Sequence, residues 1–113
     1  MHELSLSQSI VDIACEQASA NGAGRVLAIR IAIGALSHVD AGAIAFCFDA
    51  TARGTLAEGA ALTIEHPSGR AHCLPCDAEV AIGGRDQPCP LCGGYRWVLV
   101  SGDDLRVLDL EVV

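Results

Sequence analysis

Cys73-Leu74-Pro75-Cys76 and Cys89-Pro90-Leu91-Cys92 are the stretches whose reading decides how this chain is organised. Each places two residues between two thiols, so a single tight turn aims both sulfurs at one point. Twelve residues, 77–88, separate the pairs, enough for a small hairpin that sets one pair against the other. Two such knuckles complete a tetrahedron of thiolates, with zinc the first expectation and iron the second. Four protein ligands leave no position for water on the metal, so the site is expected to be structural. Gly93 and Gly94 follow the second pair and permit the positive φ that turns backbone N–H groups toward sulfur. A redox dithiol would need only one pair. The other two cysteines, Cys15 and Cys47, read as small buried residues on helices.

Outward from this module the pattern changes. Residues 73–92 hold four of the six Cys and three of the four Pro, and little that builds a core. The flanking segments carry regular hydrophobic periods. Ser5 reads as a helix N-cap, with Gln8 completing a capping box. Leu6, Ile10, Ile13 and Ala14 then recur at helical spacing, until Asn21, Gly22 and Gly24 end the helix. This leaves Met1–Leu4 as a short strand or arm. From Arg25 to Gly34 the chain alternates, with Leu27, Ile29, Ile31 and Ile33 on one strand face. A second helix is expected from Asp40, its cap, with Ile44, Cys47, Phe48 and Thr51 inward and Gly54 as the stop. Leu62, Ile64 and His66 alternate as a strand, and Pro67-Ser68-Gly69 reads as a turn or hinge. Tyr95–Ser101 and Leu105–Val113 close the chain as two strands around Gly102-Asp103-Asp104, with Leu108, Leu110 and Val112 facing inward.

Composition narrows the function classes. The chain has 113 residues, 51% hydrophobic and 19% charged, which excludes disorder. Seven arginines, no lysine and fourteen acids give a net charge of −7. A nucleic-acid binder needs a positive face to displace counterions, and no basic run exists here. The longest nearly apolar run, Val26–Leu36, contains Arg30 and is too short to span a bilayer. His2, Glu3, Asp12 and Glu16 do not form a signal peptide. A reducing cytoplasm is the expectation, where six Cys point to metal or thiol chemistry before disulfides. No nucleophile–base pair stands at a recognisable spacing, so an enzyme is not expected.

Met1-His2-Glu3 forms a second constellation. A terminal amine, deprotonated backbone amides and the imidazole can close fused rings around Ni(II) or Cu(II) in a square plane. His2 is large, so Met1 is expected to be retained.

The opening Met1-His2-Glu3-Leu4-Ser5-Leu6, the segment Ile33-Gly34-Ala35-Leu36-Ser37, the stretches Ala45-Phe46-Cys47-Phe48-Asp49 and Arg53-Gly54-Thr55, and the paired Cys-x2-Cys together resemble the HypA/HybF family of hydrogenase maturation proteins. The closing strand Leu108–Val112 also fits. The resemblance runs over nearly the whole chain and implies an α+β fold. In it, a small mixed α/β nickel-binding domain, a three-stranded sheet with two helices, carries an inserted zinc ribbon-like module. The division it suggests is 1–66 plus 101–113 for the nickel domain and 67–100 for the zinc module. It implies a nickel metallochaperone for nickel–iron (NiFe) hydrogenase, and in some members urease. Such a protein would work with a GTPase and deliver to the hydrogenase large subunit. It places nickel on the Met1 amine, the His2 imidazole and the amides of His2 and Glu3, and zinc on Cys73, Cys76, Cys89 and Cys92. Some members carry a histidine directly after a Cys-x2-Cys pair, where this chain has Asp77 and Gly93. His72 is the nearest imidazole. Two other readings use the same cysteines: a zinc-ribbon interaction module without nickel delivery, and a rubredoxin-like electron carrier.

Overall fold

A computed structural model describes residues 2–113. Two helices and six strands follow in the order α1 (His2–Ala20), β1 (Val26–Ile33), α2 (Ala41–Ala52), β2 (Ala61–Glu65), β3 (Gly69–Cys73), β4 (Ala78–Ile82), β5 (Trp97–Ser101) and β6 (Leu105–Val112). They form two three-stranded sheets, ordered β2-β1-β6 and β4-β3-β5. The chain divides into two compact units. One comprises the described residues up to Ile31 together with Val39–Ile64 and Val107–Val113; the other comprises Ala32–His38 and Glu65–Arg106.

In the first unit the helices pair closely. Ser7 Oγ donates to the Ile44 carbonyl at 3.2 Å, and the Asp40 N–H points at Glu3 Oε2 at 3.4 Å. Both contacts advance by four residues along each helix, so α1 and α2 run in the same direction with their N-termini side by side. The face that α1 buries is Ser7, Ile10, Val11, Ala14 and Ala18. The expected stripe is thus rotated: Ile13 is exposed, and polar Ser7 is buried because a carbonyl receives its hydroxyl. The expected arm at Met1–Leu4 is also corrected over the described residues. The helix runs from His2, and Ser5 lies inside it rather than capping it. Glu3 in the first turn is favoured by the helix dipole and holds the neighbouring helix's N-terminal amide, which extends α1 beyond the local capping signal. Helix α2 begins as expected: Asp40 Oδ1 accepts from the Gly42 and Ala43 amides at 2.9 and 3.2 Å.

Strand β6 runs antiparallel to β1. At one end Arg25 and Val113 exchange backbone hydrogen bonds, and at the other the Gly34 amide donates to the Asp104 carbonyl. Between them Arg30 reaches the Asp109 carboxylate from Nε and Nη2, at 3.0 and 2.5 Å. This guanidinium holds Asp109 below its ordinary value. Its contribution to stability is therefore present at neutral pH and lost as pH falls through the depressed value. Exposure of both side chains keeps that contribution small. On β6, Leu110 and Val112 are half-buried as expected, but Leu108 is exposed and Val107 takes the inward role.

The cysteine unit contains more regular structure than its composition suggests. Strands β3 and β4 pair antiparallel from Gly69↔Ile82 to Cys73↔Ala78, and β5 adds on the other side of β3. Residues 32–38, expected in the nickel domain, group with this unit. Leu36 explains why. It is fully buried in the cluster of Ala71, Cys73, Val80, Ile82 and Cys89. Its amide donates to the Gly102 carbonyl at 2.9 Å, and its carbonyl accepts from Arg85 Nε at 2.5 Å. The segment crosses Gly102 so closely that a Cβ on Gly34 would overlap the Gly102 carbonyl.

Gly34→Ala is therefore expected to destabilise the protein by about 1–3 kcal/mol, the scale of overpacking. Gly24, with open space where its Cβ would sit, is the control. Gly24→Ala is expected to change stability by less than about 0.5 kcal/mol. Thermal denaturation of the two variants beside the parent checks this; equal melting temperatures would contradict the packing assigned to Gly34.

Candidate metal centre

The first knuckle is the turn of the β3–β4 hairpin. Cys73 ends β3, Asp77 precedes β4, and Leu74-Pro75-Cys76 lie between them. The Leu74 amide donates to the Arg96 carbonyl at 2.9 Å, and the Asp77 amide to the Leu74 carbonyl at 3.3 Å. The second knuckle has no strand beneath it and closes on itself. The Cys89 amide donates to the Gly94 carbonyl at 2.7 Å, and the Gly93 amide returns to the Cys89 carbonyl at 2.8 Å. Both turns place the residue after their second cysteine in the left-handed region: Asp77 at φ +49° and Gly93 at φ +74°. Glycine meets that requirement freely, and aspartate is among the few other residues that tolerate it. Asp77 and Gly93 are thus residues suited to their turns.

The turns bring Cys73, Cys76, Cys89 and Cys92 together, with all four sulfurs within 4.8 Å of one another. Cys73 Sγ and Cys92 Sγ are 3.7 Å apart. A tetrahedral zinc with Zn–S bonds of about 2.3 Å requires sulfurs about 3.8 Å apart, and a disulfide requires about 2.05 Å. All six cysteines are free thiols. The donor set and spacing therefore suit structural zinc. Cys73 and Cys89 are buried, Cys76 is half-buried and Cys92 is exposed, so the site sits at the rim of its unit's core. Trp97 packs against that core, and its indole N–H donates to the Gln87 carbonyl at 3.1 Å, tying down the loop that leads into the second knuckle.

Electrostatics separates the sulfurs. The backbone amides of Cys92 and Leu91 point at Cys89 and lower its thiol to about 7; the Leu91 N–H lies 3.4 Å from its Sγ. Cys76 is pushed up to about 12 by the neighbouring Cys73 and Cys92 thiols. At Cys73 the Cys76 amide favours the thiolate, but burial and the adjacent Cys89 and Cys92 sulfurs outweigh it and raise this thiol. Four thiolates cannot share this volume without a cation between them. Metal binding therefore displaces protons, and affinity weakens as pH falls.

The remaining candidates divide. Met1 lies outside the described residues. His2 is exposed, and Glu3 is half-buried, with its carboxylate at the Asp40 amide. Asp40 is occupied as a cap. His72 Nε2 lies 3.2 Å from the Asp77 carboxylate, beside the first knuckle. His38 and His66 join no metal-binding group among the described residues. Cys15 and Cys47, expected to be buried, are half-buried and stand apart from the four-sulfur group. Residues missed by sequence reasoning are Leu36, which lines the sulfur-bearing core, and Arg85, which fixes it. Leu36 is distant along the chain, and nothing local marks it.

Cys89→Ser is expected to reduce bound zinc from one ion per chain to none, whereas Cys15→Ser and Cys47→Ser leave it at one. Elemental analysis of the purified variants checks this. Titrating the parent to acid should release the ion as protons return to the sulfurs; zinc occupancy that does not fall as pH is lowered would contradict four-thiolate binding.

Comparison with known proteins supports the same reading. The family model described as "Hydrogenase/urease nickel incorporation, metallochaperone, hypA" matches residues 1–112. The hydrogenase maturation factor HypA of Geobacter metallireducens is 50% identical over 112 residues, covering 99% of each chain. That of Aeromonas salmonicida is 46% identical over 112 residues, again 99% of each. That of Rhizobium leguminosarum bv. viciae is 43% identical over 113 residues, the whole of both chains. Among solved structures, the Ni metallochaperone HypA from Helicobacter pylori superposes with a TM-score of 0.70 at 22% identity, covering 98% of this chain and 97% of that one. At that identity the likeness speaks to the fold. End-to-end similarity to the family model and to these relatives establishes that this chain belongs to the HypA family.

Proposed function

We propose that this protein is a nickel metallochaperone that serves hydrogenase maturation. It binds one Ni(II) at the Met1-His2-Glu3 terminus and keeps its zinc as a structural ion. The observation that carries the reading is the family match over residues 1–112, which includes that terminus and all four cysteines.

The local chemistry supports it. Helix α1 starts at His2, and the first four N–H groups of a helix have no intrahelical acceptor. The amides of His2 and Glu3 are thus able to exchange their protons for a metal without breaking the helix ladder. A late divalent ion such as Ni(II) supplies the drive for that exchange and selects a planar nitrogen set. Glu3 contributes its backbone amide, while its carboxylate is engaged with Asp40. His2 is exposed, so an incoming protein's ligands are able to replace the nickel donors one at a time. A closed four-sulfur site does not allow this, which divides the labour between the two metals.

The protein is a carrier and not a catalyst. Its partners are a nickel-handling GTPase and the large subunit of a nickel–iron hydrogenase. No helix among the described residues is long and apolar enough to cross a membrane. Six free thiols suit a reducing cytoplasm.

Calorimetric titration of the zinc-loaded protein with Ni(II) is expected to give one site per chain. His2→Ala should abolish that site, and Glu3→Gln should retain it. Affinity should fall at lower pH, because amine, amides and imidazole must all be deprotonated to bind. Binding that is absent, or unchanged in His2→Ala, would refute nickel carriage at this terminus and leave a zinc-ribbon interaction module.

A further inference from the structure

The chain has two phenylalanines, and helix α2 carries both. Phe48 is 1% exposed and Phe46 is 84% exposed. Two residues along a helix is about 200° of rotation, so the helix sends one ring into its core and the other straight into water. Phe46 shares its outward face with Gly42, Asp49 and Arg53, all exposed, and Ala45 and Ala50 flank it. A single large ring therefore stands on a floor of small side chains. That is the shape of an anchor for a pocket on another protein, where aromatic residues carry a disproportionate share of binding energy. Local structure offers no reason for it. Phenylalanine is a poorer helix former than alanine by about half a kcal/mol, and in the fold its ring buries almost nothing.

Charge and position indicate what this anchor meets. The α1–α2 pair, with its cap, carries Glu3, Asp12, Glu16, Asp40 and Asp49, and its first arginine is Arg53 just past the end of α2. A second copy docking through the same face would set acid against acid, which disfavours a homodimer there. A partner with a basic rim around an apolar pocket is complementary. Phe46 lies midway along the helix. It is six residues beyond Asp40, about 9 Å along the axis at 1.5 Å per residue, and the Asp40 amide is at Glu3 of the nickel tripeptide.

We propose that the outer face of α2, anchored by Phe46 and steered by the acids of the helix pair, docks the protein that receives the nickel ion. The inference rests on the nickel-carrier reading and adds the surface of transfer. Nickel leaves a chelate only when the acceptor's ligands come within bonding distance of it. The acceptor must therefore cover the end of the helix pair where the tripeptide lies, and Phe46, half the length of α2 from that end, is the exposed aromatic side chain of the pair.

The test uses full-length, zinc- and nickel-loaded protein and the purified nickel-free precursor of a nickel–iron hydrogenase large subunit, with affinity read by biolayer interferometry. Phe46→Ala is expected to weaken that complex at least tenfold, and Phe46→Tyr to restore most of the loss. Asp49→Arg should weaken binding and flatten its salt dependence. Nickel affinity by calorimetry should stay within twofold of the parent in all three. Because alanine is the better helix former, Phe46→Ala should melt no lower than the parent, which separates docking from folding. Unchanged acceptor affinity in Phe46→Ala, with nickel binding intact, overturns the docking assignment alone. A loss confined to the GTPase, with large-subunit binding intact, also overturns it. A parent protein that binds neither nickel nor the precursor overturns the carrier reading together with it.

Discussion

Four thiols held within 4.8 Å of one another form an arrangement that only a cation makes stable in its ionised state. Much of the second unit depends on it. The buried cluster there is small, and two of its six members are the ligands Cys73 and Cys89. A core of Leu36, Ala71, Val80 and Ile82 around two sulfurs is far below what an independent domain of this kind needs. Metal binding then supplies folding free energy directly, on the order of 10–16 kcal/mol for structural zinc. The left-handed turns at Asp77 and Gly93, the crossing of Gly34 over Gly102 and the Trp97–Gln87 tie all serve to hold two knuckles in one geometry. The hydrogen bonds to sulfur lean the same way. Amides of Leu91 and Cys92 favour the thiolate of Cys89, so the protein has partly prepared one ligand for the ion.

The first unit obeys a different constraint. Its helices are parallel and close, joined by a buried hydroxyl at one level and by a carboxylate at the next. Parallel helices place two N-termini together, and each carries partial positive charge and unsatisfied amides. Glu3 and Asp40 answer that charge with carboxylates on the Asp40, Gly42 and Ala43 amides. The amides at the very start of α1 are left over, and these are the ones that the nickel chelate proposed above would use. Helix pairing, made for packing reasons, thereby braces Glu3 against the start of α2.

The four-sulfur site and the proposed nickel chelate have opposite chemical characters. Sulfur ligands on all four sides make a centre with no open position and no route for exchange. Nitrogen ligands in the proposed chelate would make a centre open on one side, whose donors are displaced singly. A carrier needs both: an ion that never leaves, to define a fold too small to define itself, and an ion that must leave.

Much of this was legible in the residues. Two Cys-x2-Cys pairs specify a tetrahedral site because ligand spacing is local geometry. Asp40 announced a helix because capping is local too. The chelate proposed at Met1-His2-Glu3 is read in the same local way, since all its donors lie in three consecutive residues. What the residues did not disclose depends on contacts between distant segments. The start of α1 at His2 rather than near Ser5 is decided by a carboxylate meeting an amide 37 positions away. The buried place of Ser7 is decided by a carbonyl at the same separation. The membership of Leu36 in the sulfur core rests on its contact with Cys73 and Cys89, and the pairing of β3 with β4 turns a cysteine-rich segment of weak periodicity into a sheet. The sequence by itself determined which ions this protein suits, because ligand sets are written in short spacings. Tertiary structure alone decided what supports those ligands, because burial and hydrogen-bond satisfaction are properties of segments that meet only once the chain has folded.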